Sequence, residues 1–413
     1  MGSTVSPPGP YPRRMARTAP DLLDLDITGI AHGGTFIARH EGRVVFVSDA
    51  IPGERVRARV ADAAKSSFWR AETVEVLDAS PFRRPHVWAE ADLTRDPAER
   101  AGGADLGHID LDHQRTLKRQ VLTEALDKFA GGGLDAPVIA GLDDTDGTGW
   151  RTRVSLHVDD DGVIGPFAAR SHRVIAVESL PLARPAIAAK ALAQTRGRSG
   201  RIDLVESADG KVHVLRRPAR GRRPSAPVIV ENVGERRFHV DADGFWQVHP
   251  SAASALDAAV RSALDGRVDA NATHFDLYGG VGLLAASLAR AGATDIVTVE
   301  SSGRATAHAR ENLADIDVMA VTDRVDRYLA GLPEGARAGT VVLDPPRAGA
   351  GRAVVERVHA LKPDAVVYVA CDPVALARDL GTFRGFGWRV ERLDAFDLFP
   401  HSHHFEVVAL LAR

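Results

Sequence analysis

VVYVACDPVALARDL, residues 366–380, decides how the carboxyl-terminal part of this chain is read. Val366, Val367, Tyr368 and Val369 make the continuous apolar run of a strand buried on both faces, and Pro373 suits the first turn of a following helix. Cys371 then falls at the carboxyl edge of a sheet, where open α/β sheets bind ligands. THFDLYG (273–279), TDIVTVE (294–300) and GTVVLDPP (339–346) repeat the pattern: a short apolar strand, then helix-compatible sequence. Strands alternating with helices predict an α/β fold built on a doubly wound parallel sheet over residues 241–413. On position alone, Cys371 is either a small buried hydrophobe, the commonest fate of a free cysteine, or a nucleophile whose thiolate form is favoured by the helix amino terminus.

The chain ahead of that region reads differently. Residues 1–19 mix Pro, Gly, Ser and Arg without apolar periodicity and are expected to be disordered. Residues 20–79 hold short alternating segments (LLDLDITGI, GTFIARHEGRVVFVS, ERVRARVADA, WRAETVEVLD) punctuated by HGG, HEG and IPGE turns, which suits a small all-β barrel of the oligonucleotide-binding kind. SPFRRP, residues 80–85, marks a boundary. Residues 80–240 then form a central α+β domain with one clear amphipathic helix, LDHQRTLKRQVLTEALDKF, and β-like segments after it.

Composition sets outer limits. With 413 residues, 45% hydrophobic and 26% charged, the chain has material for two or three domains with real cores. No apolar run approaches the roughly 20 residues that span a bilayer, and no signal-peptide block is seen, so a cytoplasmic protein without membrane partners is expected. A single cysteine excludes internal disulfides and any all-cysteine metal site. The net charge of −3 does not advertise a nucleic-acid binder, yet Arg216, Arg217, Arg220, Arg222 and Arg223 crowd one short stretch. Such a run is either a solvated loop or a phosphate-binding patch.

FDLYGGVGLLAASLA puts strand, glycine-rich turn and helix in sequence, and Glu300 closes the next strand. Gly279, Gly280 and Gly282 let the backbone approach a ligand, and a carboxylate about 20 residues on can accept paired ribose hydroxyls. Ala285 stands where a dinucleotide fingerprint has its third glycine, and no basic cradle follows. A nucleoside cofactor without a pyrophosphate is favoured, of which S-adenosylmethionine is the usual one. VVLDPPRAG places Asp344 at a strand end, then two stiffening prolines and Arg347. FPHSHHFEVVALL offers His401, His403, His404 and Glu406 before a final strand; a metal site there is disfavoured because a strand alternates faces.

DLYGGVG, VTVE, LDPPRAG, YVACDPVALARDL and FPHSHHFE, in this order, resemble the RNA 5-methyluridine methyltransferase family, the tRNA and ribosomal uracil methylases of the TrmA type. GRVVFVSDAIPGERV looks like the TRAM barrel that many members carry in front, and DGFWQVHP resembles the segment entering their catalytic domain. The resemblance implies that Cys371 adds to carbon 6 of uracil and that Glu406 removes the carbon 5 proton. It implies further that Gln247, Tyr278, Gly280, Gly282, Glu300 and Asp344 surround S-adenosylmethionine, and that Asp344, Arg347 and Gln247 bind the uracil. RNA would be the partner, with the barrel and the arginine run holding it, and the protein would act as a monomer. The alternatives are a methyltransferase on another acceptor and a non-catalytic RNA-binding protein.

The chain departs from that family pattern in three places. AGGA, Ala101–Ala104, replaces a CGGC segment that holds an iron–sulfur cluster in many relatives, so no cluster is expected. His249 stands where asparagine is common. Gly279 stands where cysteine is common and reads as part of a general removal of dispensable cysteines.

Overall fold

The computed structural model describes residues 21–65, 67–143, 145–221 and 224–413. The amino-terminal stretch expected to be disordered, together with Arg222 and Arg223, lies outside the described residues. Strands β1 (Leu22–Ala31), β2 (Thr35–His40), β3 (Arg43–Ser48), β4 (Arg55–Asp62) and β5 (Phe68–Asp78) close into a barrel in the order β1-β2-β3-β5-β4. Strict alternation drives it: Leu23, Leu25 and Ile27 on β1 point inward to Phe36, Val45, Val47 and Val56, while the residues between them face water.

A long helix, α1 (Leu111–Phe129), and a short strand, β6 (Ile139–Gly141), follow. A four-stranded sheet then forms from β7 (Arg153–Val158), β8 (Ile164–Gly165), β9 (Gly200–Glu206) and β10 (Val212–Pro218), with α2 (Pro185–Leu192) against it. The hairpin of β11 (Val228–Val233) and β12 (Arg236–Asp241) leads to the last unit.

That unit runs α3 (Ala252–Leu264), β13 (Thr273–Leu277), α4 (Leu283–Arg290), β14 (Asp295–Glu300), α5 (Gly303–Asn312), β15 (Val318–Thr322), α6 (Val325–Ala330), β16 (Thr340–Leu343), α7 (Arg352–Ala360), β17 (Ala365–Ala370), α8 (Pro373–Gly385), β18 (Arg389–Asp397) and β19 (Glu406–Ala412). The eight-stranded sheet has the order β15-β14-β13-β16-β17-β19-β18-β6. The first five are parallel, and β19 runs antiparallel between β17 and β18. Alternate residues of one strand feed two cores: Val366 and Tyr368 pack toward α1, α7 and α8, and Val367 and Val369 toward α3 and α4.

The central segment, expected as one α+β domain over residues 80–240, divides between layers. Helix α1 buries Leu122, Ala125 and Leu126 against the sheet beside α8, and β6 extends that sheet by pairing with β18. The buried ion pair between Lys118 and Asp397, 2.6 Å, fastens α1 to the end of β18. The β11–β12 hairpin packs with α3 and α5 on the opposite face, where Asn312 accepts from the His239 N–H at 2.7 Å. The sequence boundary missed this because an amphipathic stripe declares that a face is buried, but not against what.

Candidate active site

Strand order assembles the site. Each strand from β14 to β17 ends at the same edge of the sheet, and register fixes which residues meet there. Leu277 pairs with Val299 and with Leu343, so the Tyr278–Gly280 turn emerges between Glu300 and Asp344. Ala370 pairs with Val407 in the antiparallel ladder, which puts Cys371, one step beyond, opposite Glu406. Neighbouring strands lie about 4.8 Å apart. Glu300, Tyr278, Gly280, Asp344, Arg347, Cys371 and Glu406 all line one cleft of about 1270 Å³, joined by Gln247 and His404.

The glycine turn is built tightly. Tyr278 and Gly280 adopt φ of 66° and 55°, and Gly282, at 95°, caps α4. The Val299 carbonyl accepts from the N–H groups of Tyr278 and Gly279 at 2.9 and 3.1 Å. At Gly279 a Cβ would stand 1.9 Å from Thr298 Oγ1 and 2.6 Å from Asp276 Oδ2. The glycine is therefore required by that buried pair, and its reading as a replaced dispensable cysteine is corrected. Glu300 accepts from the N–H of Gly280 at 3.2 Å and of Ser302 at 2.6 Å, which aims its carboxylate along the turn. Gly282, at the start of α4, does not line the cleft; it supports the turn.

The loop carrying Arg347 is tied down by two residues that the motifs did not reveal. Asp379 Oδ2 accepts from the N–H groups of Ala350 and Gly351 at 2.8 and 3.1 Å and from the buried Tyr368 hydroxyl at 2.7 Å. Tyr368 and Asp379 belong to the quoted run 366–380, but there they read only as strand and helix filler. Arg347 donates to His404 Nε2 at 3.2 Å, and His404 leans on His403, whose Nδ1 meets Asp105 at 2.6 Å. His404 is held neutral, its pKa near 3, by burial and by the charges of His403 and Arg347. Among the described residues, no group of three or more His, Cys, Asp or Glu side chains is arranged to hold a metal ion.

Electrostatics at Cys371 reverse the expectation drawn from the helix terminus. Burial, with the charges of Glu406 and Asp344, pushes the thiol up to about 12 against the opposing charge of Arg347. Glu406, 5% exposed, is itself pushed well above the usual carboxylate range by burial and by Asp344. A helix dipole is outweighed when two carboxyls share the same dry pocket. The sole cysteine is thus held as the thiol, with a desolvated, unusually basic glutamate opposite it.

Some expected contributors lie elsewhere. His249 is buried away from the cleft, its Nε2 3.2 Å from Asp143 Oδ2. Arg217 is 9% exposed and paired with Asp203 and Asp243, and Arg216 donates to Gln194. Of the three described arginines of the run, Arg217 is thus tied up within the fold, whereas Arg216 and Arg220 are exposed. Ala101 and Ala104 pack in an apolar core with Trp88 and Leu180.

Sequence and fold comparisons relate the chain to known proteins. Residues 332–413 match the tRNA (uracil-5-)-methyltransferase family model and residues 22–74 the TRAM domain model. A Streptomyces avermitilis protein described as an RNA methyltransferase is 39% identical, over 94% of this chain and 97% of its own. The 23S rRNA (uracil(1939)-C(5))-methyltransferase RlmD of Shewanella amazonensis is 30% identical, over 96% of each chain. The fold matches the Pyrococcus abyssi tRNA (uracil-54, C5)-methyltransferase, solved with S-adenosyl-L-homocysteine, with a TM-score of 0.69 and 20% identity over 94% of this chain and 99% of that one.

Proposed function

The chain belongs to the RNA (uracil-5-)-methyltransferase family, and from that premise we propose that it methylates carbon 5 of a uridine in ribosomal or transfer RNA, with Cys371 as nucleophile and Glu406 as base. The observation that carries this reading is the β17–β19 register, which sets those two side chains opposite each other at the cleft floor.

Carbon 5 of uracil is a weak nucleophile until a thiolate adds to carbon 6. Because the thiol is held protonated, its proton has to leave as sulfur attacks, and Asp344, whose charge helps raise its pKa, stands in place to take it, which leaves Glu406 free as the later base. The S–C6 bond forms and the ring's π electrons move toward the exocyclic oxygen, where Arg347, steadied by His404, offers positive charge. After carbon 5 is methylated, Glu406 removes its proton, the C5–C6 double bond re-forms and the thiolate leaves. A basic, desolvated glutamate suits that last task.

The site also fits S-adenosylmethionine. At Gly280 the backbone is open, with nothing within 4 Å of where a Cβ would be, and Glu300 stands next to it as an acceptor for ribose hydroxyls. Gln247, Tyr278, Gly280, Glu300 and Asp344 would hold the cofactor, whose sulfonium supplies the methyl group when bound. No described helix is long and apolar enough to cross a membrane; the same reading has the protein acting in the cytoplasm as a monomer, and size-exclusion chromatography tests the second point. Mass mapping of 5-methyluridine in ribosomal and transfer RNA from a deletion strain tests the function and identifies the uridine. Unchanged nucleosides in both RNAs would overturn it.

A further inference from the structure

A second cavity, of about 330 Å³, opens in the central unit between β7, the Phe167–Ser171 loop and Leu180–Ala183. It is at the small end of ligand pockets, roughly 300–1,000 Å³. One residue, Arg151, lines both this cavity and the 1270 Å³ cleft. No described residue accepts a hydrogen bond from its guanidinium, and its Nε is buried without a partner. Its Cζ lies 5.5 Å from the centroid of the Trp150 ring, which holds the cation in place without neutralising it. A buried Nε with no acceptor is a standing cost, which an anion held by this guanidinium would remove.

The cavity walls are suited to a flat ring. His157 and Phe167 are stacked, 3.5 Å between centroids and 14° apart. Arg170, exposed at the rim, takes φ of 56°, a left-handed conformation uncommon for a non-glycine residue. Gly102 backs this loop so tightly that a Cβ there would lie 3.2 Å from the Phe167 carbonyl oxygen.

We infer that this cavity receives the base of a nucleotide next to the target uridine, with the intervening phosphate on Arg151. The inference rests on the reading that the target uridine enters the cleft. A uridine flipped out of a stack leaves its neighbours unstacked, and RNA-binding proteins hold such bases against aromatic and arginine planes. An aromatic-walled pocket one arginine away from the cleft matches that need in size and charge.

The test uses a fluorescent oligocytidylate carrying one 5-fluorouridine, and a set of probes with a single abasic site on either side of it. Affinity is read by anisotropy and adduct formation on a denaturing gel. One flanking position is expected to matter: its abasic probe binds about tenfold more weakly to the wild type. Val154→Trp, which fills the cavity, should lose the same factor on the intact probe and nothing more on that abasic probe. Arg151→Ala should weaken every probe and lower the slope of log affinity against log salt by about one. Arg170→Asn, which tolerates the left-handed backbone, separates rim charge from misfolding, and melting curves check each variant. A flat abasic scan, or wild-type affinity in Val154→Trp, overturns the inference. Normal binding with no adduct from any probe would instead contradict the catalytic reading and leave the pocket result standing.

Discussion

His32, in the turn between β1 and β2, sets its Nε2 3.0 Å from Oδ2 of Asp372, the residue that follows Cys371 and caps α8. Although burial pushes the Asp372 carboxyl up, the His32 ring and the Ala375 N–H hold it below the usual range. Two residues on, Gly34 packs so closely that a Cβ would lie 3.0 Å from His403 Cβ and 3.2 Å from Asp105 Cβ. The barrel thus touches both loops that carry the proposed chemistry. An exposed pair of this kind is worth about 0.2–1 kcal/mol, so His32→Ala should leave the fold intact. Adduct formation should slow about two- to fivefold while RNA affinity stays the same, measured by single-turnover kinetics and anisotropy. Equal losses in both would show that His32 acts only by binding RNA.

Gly279→Ala is expected to destabilise the protein by about 1–3 kcal/mol, because the new methyl meets Thr298 Oγ1 at 1.9 Å. Thr298→Ala should recover part of that loss by making room. Urea unfolding of the single and double variants measures the coupling, and additive effects would contradict the packing argument.

The strand ends that bear Glu300, Asp344 and Cys371 were legible in the sequence because each closes a short apolar run and precedes a helix or turn signal, and Glu406 because it opens the last apolar run. Their mutual placement was not, since it depends on the Ala370–Val407 register, which no local pattern encodes. The same limit hid α1 and β6 from the catalytic unit, and hid Arg217's partners Asp203 and Asp243, which come from β9 and from the loop after β12. The thiol's acidity was misread for a related reason: the helix terminus is a local feature, whereas Glu406 reaches Cys371 across the sheet.

Cys371 should be sluggish toward iodoacetamide in the free enzyme. Its thiol is pushed up to about 12, so the thiolate fraction is small at neutral pH and the alkylation rate should climb about tenfold per pH unit from 7 to 10 without a plateau. Glu406→Gln removes a charge that raises the thiol, and should speed alkylation at any fixed pH in that range. Since Cys371 is the sole cysteine, mass spectrometry reads the reaction without ambiguity. A plateau near pH 8 would contradict the electrostatic description.

Asp379→Asn should loosen the Arg347 loop. Its Oδ2 serves the Ala350 and Gly351 N–H groups and the Tyr368 hydroxyl, and disturbing such a buried acceptor costs about 1–3 kcal/mol. The expected kinetic signature is a higher KM for RNA together with a lower kcat, because Arg347, which both binds the uracil and meets the developing charge, is displaced while Cys371 and Glu406 stay in register. Steady-state kinetics settle the point; unchanged kcat and KM would show that the loop needs no such anchor.

The assignment of Cys371 and Glu406 to opposite halves of one reaction is tested most directly by a denaturing gel with labelled RNA and S-adenosylmethionine. Cys371→Ala should give neither 5-methyluridine nor a covalent complex, because no carbon 6 adduct can form. Glu406→Gln should still add and methylate but lack the base for the carbon 5 proton, so a methylated protein–RNA adduct accumulates. Normal turnover by Glu406→Gln, or 5-methyluridine made by Cys371→Ala, would contradict the account.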